Sequence, residues 1–301
     1  MNKQSWKYVF LFLILSFFSG LVALFQVPKK DTLSIIACDV GQGDAILIIF
    51  EETQILVDGG PNSDVMACLE KNIAYWDRSI EVVILTHPQS DHLNGLLDVF
   101  EAYDVEYFIH SGLDTSNQKW QVLKSMVGRG GTKVLLADES KTVRLGPIQL
   151  DILHPNSDFF ASKGQVLGES TLERYSSKAD PNDFSVVAVV RLGEFEALLT
   201  GDISPSISAE VAEILLDRSI GGIEYIKIPH HGSKNGLSEK LLEVVEPKIA
   251  VISVGRKNRY GHPHKEVLEM LESFNIKILR TDEQGSVVIE SDGESFWVKG
   301  N

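Results

Sequence analysis

Two histidines and an aspartate fall within six residues at His87-Pro88-Gln89-Ser90-Asp91-His92. Neutral imidazole and ionised carboxylate are the usual nitrogen and oxygen ligands of a divalent metal, so this spacing points to metal-dependent chemistry. Residues 81–85 before the cluster form a short apolar, β-branched run that predicts a buried strand. After it, Leu93, Leu96, Leu97 and Phe100 recur at the spacing of one helix face. The cluster therefore belongs on a strand-to-helix loop, where α/β proteins commonly place their sites. Read alone, the same letters also describe a helix-capping aspartate beside two polar loop histidines.

Further candidates stand in similar places. Asp58 closes a predicted strand, 54–57, and precedes Gly59-Gly60, which let backbone approach closely. That strand pairs with 45–50 in a predicted hairpin, and a helix bearing Val65, Leu69, Ile73 and Trp76 follows. The pattern returns in the second half. A hairpin of 184–191 and 195–199 ends in Thr200-Gly201-Asp202, and a helix bearing Ile207, Val211, Ile214 and Leu215 follows. Two such halves predict a helix/sheet/sheet/helix sandwich with both acidic loops on one rim. His230 and His231 follow a strand at 225–228. A strand at 249–254 leads into Arg256, Lys257, Arg259 and His262, the only dense basic loop after residue 31. Such a loop reads either as a local polyanion patch or as a solvated basic turn. Other strands are expected at 33–38, 105–109, 133–136, 148–153, 276–279 and 286–289. A helix bearing Trp120, Leu123 and Val127 is also expected, and 156–180 reads as a polar surface loop. His110 and His154 lie in no motif the site requires and read as structural.

The 301 residues carry 28 basic and 42 acidic side chains, a net charge of −14. Four lysines precede residue 31, so the remainder holds 24 basic against 42 acidic residues. So acidic a body has no global footprint for nucleic acid, and a polyanionic substrate would need a local basic patch or a metal. No linker or charge run divides residues 31–301, which read as one domain. The two cysteines, Cys38 and Cys68, stand at no metal-like spacing, and a disulfide between them is not expected.

Residues 9–27 form an uncharged apolar run flanked by Lys3 and Lys7 before it and Lys29 and Lys30 after it. Nineteen residues suffice to cross a bilayer core. The run is long for a signal peptide and ends in Leu24-Phe25-Gln26-Val27, a poor cleavage site. The expectation for residues 1–30 is a single-pass membrane anchor rather than a cleaved signal segment. The flanking charge leans toward an extracytoplasmic body.

DVGQGDA, ILVDGG, ILTHPQSDHLNG, PNDFSVV, LLTGD, IPHHGSKNG and ISVGRKNRYGHPH occur in this order. Together they resemble the metallo-β-lactamase superfamily, and more narrowly the C-terminal hydrolase domain of ComEC-type competence proteins, over roughly residues 33–290. The resemblance implies an α/β fold, a four-layer αββα sandwich with metal at the sheet edge. It assigns Asp91, His92, Asp202 and one of His230/His231, preferably His231, to one ion. A second ion would use His87, residue 89 and a residue near 182, with Asp202 as bridge. Here the chain departs, offering Gln89 and Asn182 where a classical member has histidine. Amides are poor zinc ligands, so one Zn²⁺ or Mn²⁺ is expected and the second ion is doubtful. Asp58 is a further doubtful ligand.

The implied chemistry is phosphodiester hydrolysis by a metal-bound hydroxide. Asp91, His230 and Lys234 would act at the reacting centre, and Ser233, Arg256, Arg259 and His262 would hold substrate phosphates. DNA is the expected partner, through a nuclease activity of the competence type. Another cell-surface phosphodiester, such as a wall polymer, and a degenerate interaction domain are the alternatives. β-Lactam hydrolysis is disfavoured, because the second-metal ligands of that branch are missing.

Overall fold

The computed structural model describes residues 31–138 and 141–300, together with residues 10, 12–14 and 16 of the leading segment. Those five are helical and exposed. The anchor expected at 9–27 otherwise lies outside the described residues. Among the described residues no helix is long and apolar enough to cross a membrane.

Two sheets form the centre. The first has eight strands in the order Phe296–Lys299, Val287–Ser291, Leu33–Ala37, Ile46–Phe50, Thr53–Val57, Ser79–Leu85, Asp104–His110 and Lys133–Leu136. The second has seven, in the order Lys277–Arg280, Ile249–Ile252, Tyr225–Lys227, Phe195–Leu199, Val187–Leu192, Ile148–His154 and Thr142–Leu145. Successive side chains on a strand point to opposite faces, so a run such as Ile46-Leu47-Ile48 fills two cores at once. Ile46, Ile48, Ile55 and Ile84 pack inward against Ile152, Val190 and Leu199 of the second sheet. Leu47, Leu56 and Val83 face outward onto Val65, Leu69 and Leu96. Val189, Leu198 and Ile226 face the other way onto Ile207, Val211 and Leu241. Three cores between four layers make the αββα sandwich, and the repeated hairpin lies in both halves.

This stacking fixes the site's location. Strands Thr53–Val57, Ser79–Leu85 and Asp104–His110 run parallel, so their carboxyl ends share one rim. Phe195–Leu199, Tyr225–Lys227 and Ile249–Ile252 do the same in the second sheet. Val186 N donates to Thr86 O at 3.0 Å and joins the two rims.

Several local expectations are corrected. The helix expected to include Trp76 spans Asp64–Asn72, and Trp76 is 74 % exposed beyond it. The single helix after the His/Asp cluster is two, Ser90–Leu93 and Leu96–Ala102. Within the expected loop 156–180 lie a helix, Ser157–Lys163, and a small strand pair. Asn156 caps that helix by accepting from Phe159 N at 2.7 Å, and Phe159 is buried against the rings of His154 and Phe184. Strands Thr142–Leu145 and Phe296–Lys299 were not foreseen; both are sheet edges of four residues, too short for a clear alternation. Cys38 and Cys68 form a disulfide, contrary to expectation, with Cα atoms 5.9 Å apart. It ties the end of the first strand to the Asp64–Asn72 helix. A cross-link over 30 residues contributes roughly 3.6 kcal/mol by constraining the unfolded chain.

His110 and His154 have structural partners: His110 Nε2 lies 2.9 Å from Thr171 O and His154 Nε2 lies 2.8 Å from Asp183 O. Burial pushes both down to about 4. The fold therefore favours their neutral forms, and the unfolded chain takes up protons first as pH falls through 6.5. Stability should be complete above pH 6.5 and fall by about 2 kcal/mol per histidine between pH 6.5 and 5. Urea unfolding across that range checks this, and the double variant His110→Gln/His154→Gln should show a flatter pH dependence.

Candidate metal centre

At the shared rim the two halves bring their polar side chains to one point. His87, His92 and Asp202 place one ligand atom each within 4.8 Å of one another. So do Asp91, His92 and His231, and likewise Asp44, Asp202 and His231. Asp202 is common to the two halves: its Oδ2 lies 3.3 Å from His92 Nε2 and 3.2 Å from His231 Nε2. Asp91 Oδ2 lies 3.5 Å from His231 Nε2.

Each imidazole is held by its other nitrogen. His92 Nδ1 donates to Asp58 Oδ2 at 2.7 Å, and His231 Nδ1 donates to Ser253 O at 3.0 Å. His87 Nδ1 lies 3.0 Å from Thr86 Oγ1 and 3.3 Å from Ser185 Oγ. This leaves the Nε2 atoms of His87, His92 and His231 buried and turned to the centre with no formed hydrogen bond, those of His92 and His231 meeting only the Asp202 and Asp91 carboxylates at 3.2–3.5 Å. Unpartnered buried nitrogens are costly. A divalent ion among them would satisfy all three, so the residues present fit a metal. Asp58 thus sits behind the cluster and orients His92, rather than facing an ion beside it. It also accepts from Thr86 N at 2.8 Å and Thr86 Oγ1 at 2.7 Å.

Two participants escaped the sequence. Lys227 is 1 % exposed, and its Nζ sits between Asp44 Oδ2 and Asp202 Oδ1, the latter at 3.1 Å. It also donates to Gly201 O at 2.8 Å. Burial opposes the ammonium, but Asp44 and Asp202 hold its pKa above the usual lysine value. Burial likewise opposes the Asp44 carboxylate, and Lys227 followed by His231 keeps it below the ordinary range. Asp202 is held well below that range by His231, Lys227 and His92 against the same burial. The signals were present: a carboxylate closing the glycine loop of DVGQGD, and one lysine inside the apolar strand Tyr225–Lys227.

Protonation follows from these neighbours. Burial disfavours charge on His92 and His231, yet Asp202 with Asp58, and Asp202 with Asp44, raise them well above 6.5. His87 has no such carboxylate contact, and burial takes it down to about 3. Burial opposes the Asp91 carboxylate too, but its contact with His231 lowers it well below the usual value. Its side chain is 35 % exposed, so solvent reaches it.

The remaining candidates line the mouth or lie off it. His230 is half-buried, with its ring 6.3 Å from that of His231 and 5.8 Å from that of His262. Asn182 is buried with its Oδ1 unpartnered, on a turn held by His154. Gln89 contributes backbone, its carbonyl accepting from His92 N and Leu93 N. Ser233, expected to meet phosphate, is 3 % exposed and accepts from Asn235 N, so its hydroxyl serves its own turn. Lys234 is exposed, and its backbone N donates to His264 Nδ1 at 3.1 Å.

That bond helps dock the basic loop beside the centre. His264 N donates to Gly232 O, and Gly255 N donates to Gln42 Oε1 at 3.2 Å. Arg256, Lys257 and Arg259 are exposed, and Arg256 Nε donates to Asp282 O. Burial and the neighbouring histidines lower His262 to about 4, so it is neutral near pH 7.

The metallo-β-lactamase superfamily model matches residues 38–256, and the chain belongs to that superfamily of metal-dependent hydrolases. Among curated proteins it is 30 % identical to Recombination protein 2 of Haemophilus influenzae over 273 residues, covering 88 % of this chain and 30 % of that one. It is 26 % identical to ComE operon protein 3 of Bacillus subtilis over 210 residues, covering 70 % of this chain and 24 % of that one. The chain thus spans about a quarter to a third of these relatives' length. The fold is shared with the metallo-β-lactamase fold protein YhfI of Bacillus subtilis, with a TM-score of 0.56 and 13 % identity, covering 87 % of this chain and all of that one.

Because Asp58 fixes the tautomer and direction of His92, Asp58→Asn should weaken divalent-metal binding by about 10- to 100-fold. Isothermal titration of the metal-free protein with Zn²⁺ and Mn²⁺ checks this, and unaltered affinity would contradict the orienting role.

Proposed function

We propose that the chain is a metal-dependent phosphodiesterase whose substrate is DNA. The observation that carries this reading is the set of three buried imidazole nitrogens converging on Asp202 beside an exposed basic loop on an otherwise acidic body. The names of its relatives, Recombination protein 2, ComE operon protein 3 and Competence protein ComA, favour DNA over other phosphodiesters.

Asp91, His92, Asp202 and His231, with His87 adjoining, would hold one divalent ion, Zn²⁺ or Mn²⁺. Bound there, the ion supplies acidified water and screens phosphodiester charge. The chain's own groups do the rest. Asp58 and the Ser253 carbonyl aim His92 and His231. Lys227 keeps Asp44 and Asp202 ionised, and at Asp202 it takes Oδ1 and leaves Oδ2 toward His92 and His231. Asp91, at 3.5 Å from His231 Nε2 and partly open to solvent, would ligate and orient at the mouth of the centre. His230 and His262, neutral near pH 7 and at the mouth, are placed to hydrogen-bond phosphate oxygens. Lys234, Arg256 and Arg259 supply the positive charge that an acidic body otherwise lacks.

The disulfide favours an oxidising compartment. With the apolar run at 9–27, it supports an extracytoplasmic body tethered to a membrane.

Cleavage of end-labelled single- and double-stranded DNA by the full chain tests the function, with chelator, Zn²⁺, Mg²⁺ or Mn²⁺, beside Asp202→Ala. The expected result is cutting that requires the metal and falls by at least about 100-fold in the variant. Bound metal without cutting under any condition would contradict the nuclease reading.

A further inference from the structure

Among the described residues of the body, the large aromatic rings left exposed are those of Tyr75, Trp76 and Tyr260. Tyr75 and Trp76 precede the strand Ser79–Leu85, whereas the metal centre lies beyond its far end. They therefore sit at the opposite rim. Tyr260 is different: it is 68 % exposed on the loop docked against the centre. One face of its ring stacks on His262, with centroids 5.6 Å apart and planes at 25°. His262 in turn lies over His231, at 6.5 Å and 30°. His262 thus stands between the metal cluster's His231 and the exposed ring of Tyr260.

The loop is built to hold that ring still. One side chain, Asn258, accepts from Tyr260 N at 3.2 Å and from His262 N at 3.0 Å. The same amide donates to Gly255 O at 2.9 Å and His262 O at 2.8 Å. Pro263 fills the space above Gly232, fixing the loop against the turn that carries His231. Arg256, Lys257 and Arg259 are exposed on the same loop, just before Tyr260 in the chain. An exposed aromatic face beside cationic side chains is the pattern that binds a single nucleic-acid strand, with phosphates on the charges and a base on the ring.

We infer that Tyr260 is a stacking platform for a nucleobase next to the scissile phosphate, and that it directs the site to single-stranded substrate. In a duplex each base already has both faces covered, whereas an unpaired base has a face free for Tyr260. This rests on the phosphodiesterase reading above and adds to it the recognition of a base.

The test separates base from phosphate. The full chain, with cleavage blocked by chelator, is titrated into a fluorescent oligothymidylate, an abasic strand of equal length and a duplex, with anisotropy as the readout. Single-turnover cleavage of the thymidylate strand in Mn²⁺ runs alongside. Tyr260→Ala should weaken thymidylate binding about 5- to 150-fold while leaving the abasic strand unaffected. Tyr260→Trp should restore binding, which a merely structural role would not allow. Arg259→Ala should weaken both strands alike. Equal binding of thymidylate by the parent chain and Tyr260→Ala, or equal loss on both strands in that variant, would overturn the inference while leaving the nuclease reading intact if the parent chain still cuts. Neither binding nor cutting by the parent chain would overturn both.

Discussion

Four aspartates brought out of water around one point need positive charge to balance them. Asp44, Asp58 and Asp202 are buried and Asp91 is partly so, within reach of one another's histidine partners. An isolated carboxylate in such a place would be expelled or neutralised. Lys227 answers part of the demand, and His92 and His231 answer more by holding protons. A divalent ion would replace those protons and leave Lys227 in place. Removing Lys227 alone would strand two buried carboxylates, the kind of loss that typically costs 3–5 kcal/mol. The lysine is thus a permanent counter-charge, and the rest of the balance is open to exchange between protons and metal.

Keeping these groups together demands backbone that ordinary strands and helices do not supply. Asp58, His230 and His231 all have positive φ, at 61°, 52° and 55°, though none is glycine. Each such residue costs on the order of 1 kcal/mol, and the packed layers on both sides hold them there. Glycine enters where backbone must touch backbone. A side chain at Gly95 would collide with the carbonyl of Gly59, and one at Gly43 with that of Asp91. These approaches press the loop bearing Asp44 and the turn after Asp58 against the helix start that carries Asp91 and His92.

The sandwich and much of the site were legible because their signals are local. Apolar runs marked the strands, and the His/Asp cluster, Asp202 and the His230-His231 pair each follow a strand within a few residues. What stayed hidden depends on contacts across the fold. Asp44 reads as part of a glycine turn until the second sheet brings Lys227 to it, and Lys227 reads as one residue of a short apolar strand until both sheets close over it. Cys38 and Cys68 meet because a helix packs over a strand end, which their spacing does not reveal. The Ser157–Lys163 helix is short and polar; one cap and one buried phenylalanine sustain it. Gln89 drew notice as a substituted ligand, yet its carbonyl is what the next helix uses.

The rim where the two halves meet offers its ligands to one divalent ion. Crystals of the full chain soaked in Mn²⁺ or Zn²⁺ and measured at the metal's absorption edge test it most directly. The expected result is an anomalous peak bounded by Asp91, His92, Asp202 and His231, with Lys227 still between Asp44 and Asp202. No peak at saturating metal, or a peak outside that set, would contradict it.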